Sequence, residues 1–125
     1  MGKPASAAVI RGNNEYRNIY GIVNFWKYGN GTLVSAEING LPKNQTLNFY
    51  LSSNGSCRQT MGNSPHRERI RELPALHTNA GTTATTFFTD RFTPAEIKDW
   101  TVRIDGEPER GGYGNRKPLA CGEIK

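Results

Sequence analysis

Short runs of β-branched and aromatic residues, broken by glycine, asparagine and proline, are the feature that most constrains the fold of this chain. Such runs lie at residues 8–10, 20–26, 32–38, 47–51, 82–88, 101–104 and 119–121. Turn-forming residues separate many of them, as at 12–14, 29–31, 39–42, 79–81 and 111–112. Runs at this spacing predict an all-β antiparallel sandwich or barrel. The chain has no internal repeat, which excludes solenoids and propellers.

One short helix is predicted near residues 93–100. Thr93 can cap its start, Pro94 suits its first position, and Glu96 completes a capping box. Ile97 and Trp100 would supply the buried side. The preceding stretch 58–72 has few apolar residues and no strand pattern, which predicts a long loop of the kind that often carries function.

The 125 residues suit a single domain over 1–125, with 1–7 as a flexible N-terminus. The net charge of +5 favours acidic partners only weakly, and the apolar runs are too short to cross a bilayer. The first residues lack the apolar stretch of a secretory signal. We therefore expect a cytoplasmic protein if the chain is complete, and an extracytoplasmic one if a signal has been removed.

The residues that could carry chemistry are few. The two histidines, His66 and His77, form none of the common zinc-binding spacings, and no nucleophile motif is present. Cys57 and Cys121 would be buried thiols in a reducing compartment or a disulfide in an oxidising one. Four arginines in or next to the predicted loop form a candidate binding surface, although interleaved glutamates make nucleic acid an unlikely partner. They are Arg58, Arg67, Arg69 and Arg71.

Four segments together resemble the copper/zinc superoxide dismutase family, in its short bacterial branch. They are Leu33-Val34-Ser35-Ala36-Glu37-Ile38-Asn39-Gly40-Leu41-Pro42, Phe49 to Cys57, Glu72-Leu73-Pro74-Ala75-Leu76 with Phe88 to Thr93, and Gly114-Asn115 with Leu119-Ala120-Cys121-Gly122-Glu123-Ile124. The resemblance runs from about Ala8 to Ile124. It implies an eight-stranded Greek-key β-barrel, and it implies that Cys57 and Cys121 form the family's disulfide.

The resemblance also shows where the family's metal ligands are replaced. Tyr50 and Ser52 match a His-x-His pair of copper ligands, Asp105 matches a third, and the bridging histidine has no counterpart. Phenol and hydroxyl groups are poor copper ligands at neutral pH.

The zinc ligands and the superoxide-attracting arginine are altered as well. His66, Arg69 and Glu72 match the remaining zinc ligands, and Arg69 puts a positive charge where an imidazole should bind. Pro118 stands at the position of the arginine that attracts superoxide.

These replacements predict a dismutase-like protein without copper, zinc or dismutase activity, and with a binding or structural role. Its partner would be another protein or a second copy of the chain, at the arginine-rich loop or the former active-site face. Ion pairs such as Arg69–Glu72, or a loop arginine with Asp105, could then replace the metals. The alternative is a divergent dismutase that binds iron or manganese. Its candidate ligands are Tyr50, His66, Glu72, Asp105 and His77.

Overall fold

Eight antiparallel strands form a single sheet that curls into a nearly closed barrel. The computed structural model describes residues 2–57, 68–79, 81–106 and 117–125, and within these ranges the fold is all-β. The strands are β1 (Ser6–Gly12), β2 (Tyr20–Tyr28), β3 (Gly31–Asn39), β4 (Thr46–Ser52), β5 (Ile70–His77), β6 (Thr82–Thr89), β7 (Thr101–Asp105) and β8 (Pro118–Glu123). Their spatial order is β5-β4-β7-β8-β1-β2-β3-β6.

Alternation along the strands builds the barrel interior. Val23 and Phe25 on β2 face Val34 and Ala36 on β3, and all four are buried in one apolar cluster. The residues between them, such as Asn24 and Ser35, lie on the outer face, because successive side chains of a strand point to opposite sides. Phe49, Leu51, Val102 and Ile104 bring the same core to β4 and β7.

The predicted loop over residues 58–72 is wrong at its C-terminal end, because strand β5 begins at Ile70. Ile70, Arg71 and Glu72 already pair with Ser52, Leu51 and Tyr50 of β4. Pro74 and the charged residues hid this strand from a pattern search. Such residues are typical of an edge strand, and β5 is at one end of the sheet.

The predicted helix near 93–100 is also wrong, because the structure has consecutive turns at Pro94–Asp99. The amides of Glu96, Ile97 and Trp100 each donate to the carbonyl three residues earlier. Asp99 then adopts a positive φ of 69° and donates its amide to Ile124. So short a segment does not recover the cost of helix nucleation. The expected burial of Ile97 and Trp100 is confirmed.

The N-terminal segment 1–7 overlaps the first strand. Ser6 and Ala7 pair with Phe25 and Asn24, and the Trp26 indole donates to the carbonyl of Gly2 over 2.7 Å. The described part of the chain contains no helix that is long and apolar enough to cross a membrane.

Candidate functional site

Five polar residues lie buried on the outer side of β4 and β7, and we call them the β4–β7 polar cluster. They are Tyr50, Ser52, Thr101, Arg103 and Asp105, each at most 7% exposed. They alternate along their strands with core residues such as Leu51 and Val102, so they point away from the barrel interior. Antiparallel pairing places Tyr50 opposite Arg103 and Ser52 opposite Thr101. Strand register therefore assembles the cluster.

Tyr50 and Asp105 are joined directly. The Tyr50 hydroxyl donates to Asp105 Oδ2 over 2.9 Å. Burial and the neighbouring carboxylate raise the pKa of Tyr50 well above its usual value, while Arg103 acts in the opposite direction. Tyr50 is consequently a neutral hydrogen-bond donor at physiological pH, because its ionised form would be buried next to another negative charge.

Arg103 connects the cluster to the segment that follows β4. Its Nε donates to Thr101 Oγ1 over 3.1 Å, and its Nη2 donates to the carbonyl of Ser56 over 3.0 Å. The Thr101 hydroxyl in turn donates to the carbonyl of Asn54 over 2.8 Å. Ser52 contributes from the other strand, since its Oγ accepts the amide of Asn54 over 3.1 Å. The buried guanidinium thus holds residues 54–56 against the outer face of β7.

A disulfide closes the same region covalently, which confirms the predicted pairing of Cys57 with Cys121. The two Cα atoms are 5.8 Å apart, and Cys121 is the cross-strand neighbour of Arg103. The bond joins residues 64 positions apart. Closing a loop of this length stabilises the folded protein by about 4 kcal/mol in the chain-entropy account. A cleft of about 640 Å³ opens beside the disulfide, bordered by Val9, Pro118 and both cysteines.

Two further predicted site residues, Glu72 and Arg69, lie around the cluster without forming the proposed ion pair. Glu72 is exposed on β5, opposite Tyr50. The Arg69 guanidinium lies over the Trp100 ring, 5.3 Å from its centroid. Of the ion pairs between described residues, none joins Arg69 to Glu72. The aromatic face offers Arg69 a contact that also shields Trp100, so the expected pairing does not form.

The other predicted residues are spread more widely. Pro118 begins β8 opposite Asp105, and its carbonyl accepts a hydrogen bond from Asn13. His77 is at the far end of β5, where its Nδ1 is 3.2 Å from Thr46 Oγ1. Thr46 precedes Tyr50 by four residues, about 13 Å along the strand, so His77 is remote from the cluster.

The candidate arginine surface is only partly visible. Arg58, Arg67 and His66 lie outside the described residues. Arg71 is half-buried and stands opposite Leu51, whereas the Arg69 guanidinium lies over the Trp100 ring.

Arg103 and Thr101 are the residues that sequence reasoning missed. A charged residue between Val102 and Ile104, inside a short apolar strand, was the available signal. A lone charge in such a run is rarely buried unless it has partners. The pattern could not supply those partners, which are the Thr101 hydroxyl and a backbone carbonyl from the segment after β4.

Within the ranges that the structure describes, no three histidine, cysteine, aspartate or glutamate side chains lie close enough together to hold a metal ion. What the cluster offers is one buried guanidinium, one neutral phenol and one carboxylate. No protein-family model matches the chain, and no curated protein matches it with significant sequence similarity.

Proposed function

We propose that this chain is a copper/zinc superoxide dismutase-like protein in which a hydrogen-bonded polar cluster replaces the metals, and that it serves a binding or structural role without dismutase activity. The observation that carries the proposal is the hydrogen bond from Tyr50 to Asp105. Both residues stand at positions that the resemblance matches to copper-binding histidines. The Tyr50 hydroxyl and the Asp105 carboxylate are hydrogen-bonded to each other where the family has a metal ion.

The strand order supports the Greek-key arrangement that the resemblance implies. β1, β2 and β3 follow one another in the sheet, but β6 then lies beside β3, and β7 lies beside β4. A Greek key has this character, because a long connection returns a strand to the side of an earlier one. The β4–β7 pairing is also what brings Tyr50 and Asp105 together.

The chemistry of the cluster does not fit a copper ion. Copper in proteins is held well by imidazole and sulfur ligands, and the cluster contains neither. Tyr50 keeps its proton because its pKa is raised, so it does not provide a phenolate. Arg103, the cross-strand neighbour of Tyr50, adds a fixed positive charge that repels a dication.

Two observations disfavour parts of the alternative iron or manganese enzyme, whose candidate ligands are Tyr50, His66, Glu72, Asp105 and His77. Burial next to Asp105 opposes an anionic Tyr50, and His77 is remote from the cluster. His66 lies outside the described residues. The cluster itself is buried, so we assign the cleft beside the disulfide as the contact surface of a binding protein.

The test is to restore the family's ligands and measure copper binding. The triple variant Tyr50→His, Ser52→His and Asp105→His places three imidazoles on neighbouring strands. We expect it to bind copper, seen in its absorption spectrum and by elemental analysis, whereas the wild-type chain stays well below one ion per chain. Circular dichroism and a thiol assay of Cys57 and Cys121 would show that the variant is folded and oxidised.

Two results would contradict the proposal. The first is stoichiometric copper or another redox metal in the wild-type protein. The second is a folded triple variant that binds no more copper than the wild type, because the three positions would then not form a copper site.

A further inference from the structure

Exposed apolar side chains lie next to one another on the outer face of β1 and β2. Val9 on β1, and Tyr20 and Ile22 on β2, are 55%, 60% and 41% exposed. Strand pairing places Val9 directly opposite Ile22, and Arg11 directly opposite Tyr20. Val9 and Arg11 also border the cleft of about 640 Å³ beside the disulfide. A contiguous apolar area of this kind indicates an interaction site, whereas single exposed apolar residues do not.

The cleft can take up an apolar group. Its lining is mostly apolar and includes Ala7, Val9, Pro118 and the Cys57–Cys121 disulfide. Its volume lies within the range of about 300–1,000 Å³ that is usual for binding clefts. Because the disulfide fixes one wall covalently, a partner does not have to order this part of the surface when it binds.

The charged residues that border the cleft are Arg11, Glu123 and Lys125. Glu123 is already engaged, since its Oε1 is 3.4 Å from Lys125 Nζ and its Oε2 accepts the Cys57 amide over 3.4 Å. Within the ranges that the structure describes, the Arg11 guanidinium forms no ion pair or hydrogen bond. An exposed guanidinium is suited to a carboxylate, which it can bind through two parallel N–H groups. The charge left over at this cleft therefore matches an acidic group.

We propose that the cleft, together with Val9, Ile22, Tyr20 and Arg11, binds a segment of a partner protein that presents an acidic side chain next to a large apolar one. We call these residues and the cleft the β1–β2 docking surface. The apolar side chain enters the cleft beside the disulfide, and the acidic side chain pairs with Arg11. Tyrosine and arginine are enriched among the residues that dominate binding energy at protein interfaces. The inference rests on the proposed binding function and adds the chemistry of the partner.

The surrounding charges also determine how such a segment lies. Glu37 on β3 is exposed and directly opposite Ile22, on the side away from the cleft. It repels a carboxylate whereas Arg11 attracts one, so the acidic side chain of the partner lies on the β1 side. An occupant that covers two strands and the cleft together is longer than a small molecule. The extent of the surface therefore favours a peptide segment over a small amphipathic acid.

The test begins with a phage-displayed library of random peptides about twelve residues long, selected on the wild-type protein with its disulfide intact. We expect the enriched peptides to carry an aspartate or glutamate within about two residues of a large apolar residue. Fluorescence anisotropy of one enriched peptide, made synthetically, then gives its dissociation constant. This constant should rise by at least about tenfold in Arg11→Met, because the variant loses a charge-assisted hydrogen-bonded pair.

The matched control is Arg91→Met, which should leave the dissociation constant unchanged. Arg91 is also exposed, but it follows β6, which lies three strands away from β1 in the sheet. A change in the peptide identifies the paired group. Replacing its acidic residue by the corresponding amide should weaken binding to the wild type by a similar factor and have no further effect in Arg11→Met. Unchanged melting temperatures would show that both arginine variants are folded.

The contrary outcomes are distinct. No enrichment, enriched peptides without an acidic residue, or equal effects of Arg11→Met and Arg91→Met would each overturn the proposal. Self-association of the wild-type chain that Arg11→Met abolishes would assign the surface to a second copy instead, and would overturn it as well. Stoichiometric redox metal in the wild-type protein would contradict the proposed dismutase-like function and leave the peptide result unchanged, so the two failures can be told apart.

Discussion

The outer face of β4 and β7 and the outer face of β2, β3 and β6 are built from the same alternation but treat polar groups differently. On β4 and β7, Tyr50, Arg103 and Asp105 are buried and joined by hydrogen bonds to each other, to Thr101 or to backbone. On β2, β3 and β6, side chains such as Asn24, Ser35 and Thr86 meet at the surface. The Thr86 hydroxyl is 3.4 Å from Ser35 Oγ, and Tyr28 is 64% exposed.

The difference shows where stability depends on individual polar groups. A buried polar group that loses its partner costs the full desolvation of what remains, whereas an exposed one is solvated by water. Stability should therefore be sensitive to single substitutions on the β4–β7 face and tolerant on the other.

Breaking the disulfide that closes the β4–β7 side should lower the free energy of unfolding more than any other change. The double variant Cys57→Ser and Cys121→Ser should lose about 4 kcal/mol of unfolding free energy, because the unfolded chain is no longer cross-linked. Urea unfolding measures it. The reduced wild-type protein is the control and should be similarly destabilised; equal stability of oxidised and reduced protein would contradict the expected cross-link effect.

Removing the Arg103 guanidinium should have the second-largest effect on the free energy of unfolding. Arg103→Met keeps much of the side-chain volume but loses the hydrogen bonds to Thr101 and Ser56, so we expect a loss of about 2–3 kcal/mol. Arg11→Met on the exposed side of β1 is the matched control, with a change within about 0.5 kcal/mol. If both arginine variants were equally stable, the buried guanidinium would not be what holds residues 54–56.

Tyr50→Phe should cost about 1–2 kcal/mol at neutral pH, since it removes the donor to the buried Asp105 carboxylate. The loss should also depend on pH. The raised pKa of Tyr50 means that the folded chain keeps this proton while the unfolded chain releases it above about pH 10. The wild type therefore loses stability as pH rises through that range, and its advantage over Tyr50→Phe shrinks.

Tyr28→Phe is the control for that experiment, because the Tyr28 hydroxyl lies on the exposed face. Chemical denaturation at several pH values would supply both curves. A constant difference between wild type and Tyr50→Phe at all pH values would contradict the assigned environment of Tyr50.

The smallest effect should come from the exposed face itself. Phe88→Ala removes the edge-to-face contact with Tyr28, whose ring centroids are 5.8 Å apart. We expect a loss of only about 0.5–1 kcal/mol, independent of salt, because both rings are largely exposed. A loss as large as that of Arg103→Met, in the same urea titration, would remove the contrast between the two faces.

Much of the fold followed from local sequence pattern, and the site followed only in part. The runs at residues 20–26 and 32–38 predicted the strands β2 and β3, because β-branched and aromatic residues bounded by turn residues are typical of strands. β5 was missed since edge strands tolerate proline and charge. The cap residues before Pro94–Asp99 predict a helix where the structure has turns, because cap residues alone do not show whether a helix continues.

The site depended on register, which no local pattern contains. Asp105 was singled out by resemblance, but its contact with Tyr50 arises from pairing between strands separated by about half the chain. Arg103 was overlooked because its partners are a hydroxyl two residues earlier and a carbonyl 47 positions away.

We propose that the β4–β7 polar cluster stands in place of a metal centre. Elemental analysis of protein purified without added metal or chelator, and repeated after incubation with copper and zinc, tests it most directly. We expect well below one ion of any redox metal per chain in both samples. One copper, iron or manganese ion per chain would contradict it.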